Sequence, residues 1–185
     1  DRGLVGSEMC IRDRYNKQGK KHGIWKGYHE NTQTKRYEGE FNHGTPVGRF
    51  TYYAIEGHVN GKVDFINDSI SSAQMFHDNG SIMAEGKFLN QTKSGKWYIY
   101  SRSGYLLNVL HYLNGALEGT QYSYYPKFDD YEKVKVMEQY ECAGGLKNGV
   151  WKEFHKLGTV KAEGNYLEGN KDCLLYTSPS PRDLY

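Results

Sequence analysis

The residues of this sequence best suited to chemistry are aromatic. Trp25, Tyr28, Phe50, Tyr53, Trp97, Tyr100, Tyr124, Trp151 and Phe154 recur at regular spacing, and exposed Trp and Tyr are common anchors of binding sites. They are candidates to line a groove that holds a partner. The competing reading is that they form the core between hairpins, because a thin array needs the large apolar payload of aromatic rings. For most of them the core is the better reading. Three glutamates also recur. Glu38, Glu85 and Glu163 each stand three residues before an aromatic and are followed by Gly39, Gly86 and Gly164. A row of carboxylates could hold a cation or a basic partner, but a solvent-facing or turn-bonding glutamate is the simpler reading, since charged side chains are usually exposed.

The remaining reactive types form no constellation. Asp129 and Asp130 are adjacent, with no second carboxylate set at a defined spacing, and read as a solvated loop. The seven histidines, His22, His29, His43, His58, His77, His111 and His155, make neither H-x-x-x-H nor H-E-x-x-H, so no metal site is expected. Cys142 precedes Gly144-Gly145 with no designated base beside it, so it does not read as a nucleophile. No phosphate-cradling glycine loop is present. Lys20-Lys21 and Lys35-Arg36 are too short for a nucleic-acid patch. The expectation is no catalytic residue, no cofactor, no metal and no nucleic acid.

The candidate aromatics all belong to one pattern: a glycine, an aromatic two residues on, and another five residues on. It reads Gly23-x-Trp25-x-x-Tyr28, Gly48-x-Phe50-x-x-Tyr53, Gly95-x-Trp97-x-x-Tyr100 and Gly149-x-Trp151-x-x-Phe154. A weaker copy runs from Gly119 to Tyr124, with Gln121 in place of the first aromatic. Gly23 to Gly48 is 25 residues, Gly95 to Gly119 is 24, and the 47 from Gly48 to Gly95 are two periods. The module hidden in that gap shows in its second half, where Ala84-Glu85-Gly86-x-Phe88 aligns with Ala162-Glu163-Gly164-x-Tyr166. Ser71 and Ala73 then stand where Gly and Trp stand elsewhere. Gly119 to Gly149 is 30 residues, which places an insertion within 126–135. Self-similarity at such a period is the signature of a repeat architecture.

Each module predicts a short aromatic strand, a polar turn, and a second strand closing on an aromatic (Phe41, Phe65, Phe88, Tyr112, Tyr140 or Tyr166). A loop with glycine follows, as at Asn114-Gly115 and Glu168-Gly169. Aromatic runs bounded by such turns read as hairpins, and no stretch shows a convincing helical period. A lone hairpin is marginal in water, so the hairpins must stack in series and bury the aromatics of one against the next. An offset of three puts Trp25 and Tyr28 on opposite faces of a regular strand. Either both faces carry aromatics, or a bulge re-aims one of each pair. The fold class is all-β, a quasi-one-dimensional array of antiparallel β-hairpins.

Composition agrees. Aromatics make up 15% and there are 22 glycines, which suits short strands, turns and a thin core. The net charge of +2 creates no strong field for nucleic acid or anionic membrane. No stretch approaches the roughly 18 apolar residues of a spanning helix. The sequence names no compartment.

Both ends stand apart. Back-translated, Met9 to Asp13 has a reverse complement that, in a shifted frame, encodes Cys-Leu-Leu-Tyr and begins a Thr codon, the order found from Cys173 to Thr177. Residues 1–14 and 173–185 therefore resemble translated sequencing adapter and are set aside from fold reasoning. The array is expected over 15–172, in about six modules. It runs into both of these ends, as a fragment of a longer array would. With the ends removed, Cys142 is the one remaining cysteine, so no disulfide framework is expected.

The modules resemble MORN repeats. Asn114-Gly115-x-x-x-Gly119, Gly149-x-Trp151-x-x-Phe154-x-x-x-Gly158 and Ala162-Glu163-Gly164-x-Tyr166 carry the resemblance, which is nearest to the variant in bacterial YwqK-family proteins labelled as toxin–antitoxin antitoxins. It covers nearly all of 15–172. It implies a single-layer array of antiparallel β-hairpins and a non-catalytic scaffold that binds protein, or less often membrane lipid, with an antitoxin-like role as its narrowest form. The Ser71/Ala73 module, Gln121 and the insertion depart from the pattern and are where irregular packing is expected. Two alternatives remain. The stretch from Gly95 to Gly104 also resembles choline- or cell-wall-binding repeats, in which Trp and Tyr cage a cation or stack on sugar, although such repeats usually carry a further Gly-Trp pair. The array could also be the appendage of an enzyme domain.

Overall fold

The computed structural model describes residues 15–126 and 133–177, with side chains described to residue 172. Residues 1–14, Asp129, Asp130 and residues 178–185 lie outside the described residues. The chain divides between Gln91 and Thr92 into two compact units. In the first, β1 (Gly23–Tyr28), β2 (Lys35–Asn42), β3 (Thr45–Tyr53), β4 (Val59–Phe65), β5 (Ile70–Phe76) and β6 (Ile82–Leu89) pair antiparallel in chain order. In the second, β7 (Thr92–Tyr100), β8 (Leu106–Leu113), β10 (Gly119–Tyr124), β11 (Val136–Ala143), β12 (Leu146–Phe154), β13 (Val160–Leu167) and β14 (Asn170–Thr177) do the same. The two-residue β9 (Ala116–Leu117) pairs with β8 alone. The backbone of β14 thus enters the stretch set aside as adapter-like. Among the described residues there is no helix, and each unit is one layer of strands.

Two local rules recur along the array. Except between β4 and β5, where residues 66–69 carry no positive φ, the loop between modules is a tight two-residue turn with both φ angles positive, as at Asn114 (50°) and Gly115 (85°), or Glu168 (49°) and Gly169 (85°). That backbone twist matches the twist of the flanking strands. The second rule is a register shift immediately before the second aromatic of the motif. It falls at Gly27/Tyr28, Tyr52/Tyr53 and Met75/Phe76 in the first unit. In the second it falls at Ile99/Tyr100, Ser123/Tyr124 and Glu153/Phe154. The departures named above do not break this order. Ser71 and Ala73 are buried on β5 in ladder with Phe88 and Gly86.

Most of the core of each unit lies on one face, with Val109 buried on the other face of the second unit. Trp25, Phe50, Trp97 and Trp151 are 2%, 3%, 0% and 8% exposed. Each packs edge-on against the closing aromatic of its own module: Trp25 on Phe41, Phe50 on Phe65, Trp97 on Tyr112, and Trp151 on Tyr166. Edge-to-face geometry suits the ring quadrupoles. Between modules, Phe50 lies across the backbone of Gly39, where a Cβ would overlap its ring; within the first module, Tyr37 lies likewise over its ladder partner Gly27. This accounts for the glycine after Glu38: the neighbouring module's ring occupies the space of a side chain.

Candidate functional site

The structure divides the nine candidate aromatics between two faces. Trp25 and Phe50 in the first unit, and Trp97 and Trp151 in the second, stand on the core face. Tyr28 and Tyr53, and Tyr100, Tyr124 and Phe154, follow the strand alternation onto the other face and are half-buried. The offset of three therefore means that both faces carry aromatics. The repeated bulge alters the facing strand. It brings an aliphatic or cationic residue opposite each second aromatic: Lys35 opposite Tyr28, Val59 opposite Tyr53, Leu106 opposite Tyr100, Val136 opposite Tyr124 and Val160 opposite Phe154. The sequence reading missed this second apolar row. Its signal is a Val, Ile or Leu two residues after the turn glycine, as in Gly57-x-Val59, Gly80-x-Ile82, Gly104-x-Leu106 and Gly158-x-Val160.

Lysines roof the core face. Lys21 Nζ lies 4.5 Å from the Trp25 ring centre and 5.3 Å from that of Phe41. Lys93 Nζ lies 4.6 Å from Trp97 and 5.0 Å from Tyr112. Lys147 lies 4.1 Å from Tyr140 and 5.1 Å from Tyr166, and Lys171 lies 4.9 Å from Trp151. Lys21, Lys93 and Lys147 each precede their Trp by four residues, a second regularity that was legible but unread. The stems cover apolar surface while the ammonium reaches water and the ring face. A one-layer sheet can in this way bury Trp without a second layer.

The other face is laced with cross-strand pairs. Glu38 meets Lys26 across the ladder at 3.6 Å and Lys35 of its own strand at 2.8 Å, Glu85 accepts from Gln74 at 3.0 Å, and Glu163 meets Lys152 at 3.2 Å. The recurrent glutamates are therefore paired across strands. Lys35 holds the Glu38 carboxyl below its usual range, and Arg49, with two hydrogen bonds of 2.7 and 2.9 Å, does the same to Asp64. In the second unit this face is more aromatic. Tyr98, Val109 and Tyr122 are ladder neighbours, and Tyr124 joins them, its hydroxyl pushed up by burial and by Tyr122 and Tyr98.

The remaining candidates have structural placements. Gln121 is 0% exposed and plugs the step between β9 and β10. Its Oε1 accepts from the His111 amide at 2.7 Å, and its Nε2 donates to the Glu118 and Gly119 carbonyls at 3.1 and 3.0 Å. Cys142 is buried, and burial pushes its thiol up, the opposite of what a nucleophile needs. His29 and Tyr125 stand at the same repeat position. Each bonds the carbonyl of the following module's second aromatic, Tyr53 at 3.0 Å and Phe154 at 2.6 Å. Among the described residues, His, Cys, Asp and Glu form no metal-sized group. No helix there is long and apolar enough to cross a membrane.

Residues 147–168 match a family model described as MORN repeat variant. The chain carries a MORN-type repeat. The matched stretch is the β12–β13 hairpin with Lys147, Gly149, Trp151, Phe154 and Tyr166, the residues that define the module elsewhere in the sequence. A MORN-type hairpin array is a repeat scaffold, and modules of this kind are typically non-catalytic. No curated protein sequence matches the chain.

Proposed function

We propose that the protein is a non-catalytic scaffold that binds a protein partner across one face of its hairpin array. The observation that carries this reading is the single strand layer in each unit. It leaves a broad face of half-buried aromatic, aliphatic and cationic side chains with no second layer over it among the described residues, a composition suited to protein recognition. The antitoxin-like role is a narrower form of the same reading, in which the partner is a toxin. Choline or glycan binding is less well supported, because the Trp rings that would form the cage are buried and already roofed by lysine.

The test is affinity capture with the intact chain beside two variants, one altered on each face: Lys171→Gln on the core face and Tyr124→Ala on the other. Reconstitution with the purified partner follows. Binding should fall on one variant and hold on the other. A partner indifferent to both faces would remove the reading, as would Trp fluorescence that responds to choline or cell-wall glycan and to no protein.

A further inference from the structure

We propose that the core face of each unit docks an acidic, extended polypeptide segment. This rests on the protein-binding reading above and names the chemistry of the partner. The argument is a sorting of charge between faces. In the first unit every strand carboxylate, Glu38, Glu40, Asp64 and Glu85, projects on the face opposite Trp25 by ladder alternation. The core face there carries cations: Lys21 over Trp25, and Arg36 5.7 Å from the centre of the Tyr37 ring.

In the second unit the core face carries Lys93, Lys147, Lys161 and Lys171. Its carboxylates on β11 and β12 are engaged within the fold. Glu138 binds Lys147 at 2.8 Å and the Trp151 indole N–H at 2.6 Å. Glu153 binds Lys161 at 2.6 Å. Glu118, beside β10, accepts the Gly144 amide at 2.9 Å. Each unit thus presents a cationic surplus on aromatic ground, while its other face is internally balanced.

Geometry fixes the form of the occupant. Lys147 and Lys171 are equivalent residues 24 apart in sequence, on strands that both pair with β13. Two strand spacings are about 10 Å, which an extended chain covers in about three residues. A segment laid across the strands with a carboxylate at every third residue therefore meets successive lysines. An anionic membrane fits less well. The face offers roofed rings with little apolar surface to insert, and the exposed aliphatics Leu113 and Leu167 sit at the hairpin ends.

The test uses the full chain and fluorescein-labelled twelve-residue peptides with Glu, Gln or Lys at every third position. Vesicles of phosphatidylcholine with and without phosphatidylserine form a separate arm. The readouts are anisotropy and Trp emission, since all the tryptophans lie on core faces. The Glu peptide should bind and the Lys peptide should not. Lys93→Gln and Lys171→Gln, which keep most of the covering stem, should each weaken binding about two- to fivefold. Arg49→Gln on the other face should leave it unchanged. Gln and Glu peptides bound equally, with the same dependence on this face, would overturn the acidic partner while the scaffold reading stands. Response to phosphatidylserine vesicles alone, or to no peptide of any class, would overturn the proposal.

Discussion

Trp97→Ala tests whether the first aromatic of each module is core. Trp97 is 0% exposed, so truncation removes a side chain that buries about 200 Å². At about 25 cal/mol per Å² that is ~5 kcal/mol, and measured Trp→Ala changes run at about 3–5 kcal/mol. The edge contact with Tyr112 at 6.4 Å and the Lys93 ammonium at 4.6 Å are lost as well. The expected loss is about 4 kcal/mol. Tyr100→Ala, on the other face and half-buried, should cost about 1–2 kcal/mol. The assay is urea unfolding in a Trp25→Phe background, in which the remaining tryptophans, Trp151 alone or with Trp97, all lie in the second unit. Repeat arrays unfold by unit more readily than all at once, so both variants are read through the same unit. A Trp97→Ala loss under about 1 kcal/mol, or one no larger than that of Tyr100→Ala, would refute the core assignment and return Trp97 to the binding candidates.

Gly39→Ala should destabilise the first unit by about 2 kcal/mol or more, since its Cβ would meet the Phe50 ring and overpacking costs about 1–3 kcal/mol. Adding Phe50→Leu should recover part of the loss in the same unfolding assay. Gln121→Leu should cost about 2–4 kcal/mol, because it strips hydrogen bonds from the His111 amide and from the Glu118 and Gly119 carbonyls. Hydrogen exchange at the His111 amide should accelerate with it. The Glu38 and Asp64 carboxyls are depressed by Lys35 and Arg49. Their contribution is therefore present above the unfolded carboxylate pKa of about 4 and lost as pH falls through the lower folded values. Glu38→Gln with Asp64→Asn should flatten that acid limb of the stability curve without moving its neutral plateau greatly, because such exposed pairs are weak. Iodoacetamide should label Cys142 slowly in the folded chain and quickly in urea, read by mass spectrometry at that residue, since burial holds the thiol protonated and covered.

The repeat, its period, the hairpins and the all-β class follow from the sequence alone. All are local: glycine and asparagine at positive φ, alternating strands, and an aromatic at a fixed offset from each turn. The core aromatics were legible for the same reason, as Trp25, Phe50, Trp97 and Trp151 recur where a stacked hairpin needs its payload. What the sequence left open depended on residues that meet only across strands. The offset of three between Trp25 and Tyr28 allowed two arrangements, and the ladder decided between them, with the bulge falling on the facing strand. The glutamate row reads in sequence as solvent-facing or turn-bonding, and only the ladder sets Lys26, Gln74 and Lys152 opposite it. Gln121 read as a defect, yet it satisfies the backbone at the step beside β9, a need that exists only once β8 and β10 are paired. The lysine four residues before each Trp was visible throughout. Its meaning came from tertiary structure, because a layer one strand thick has to shield its rings with the long side chains that cross above them.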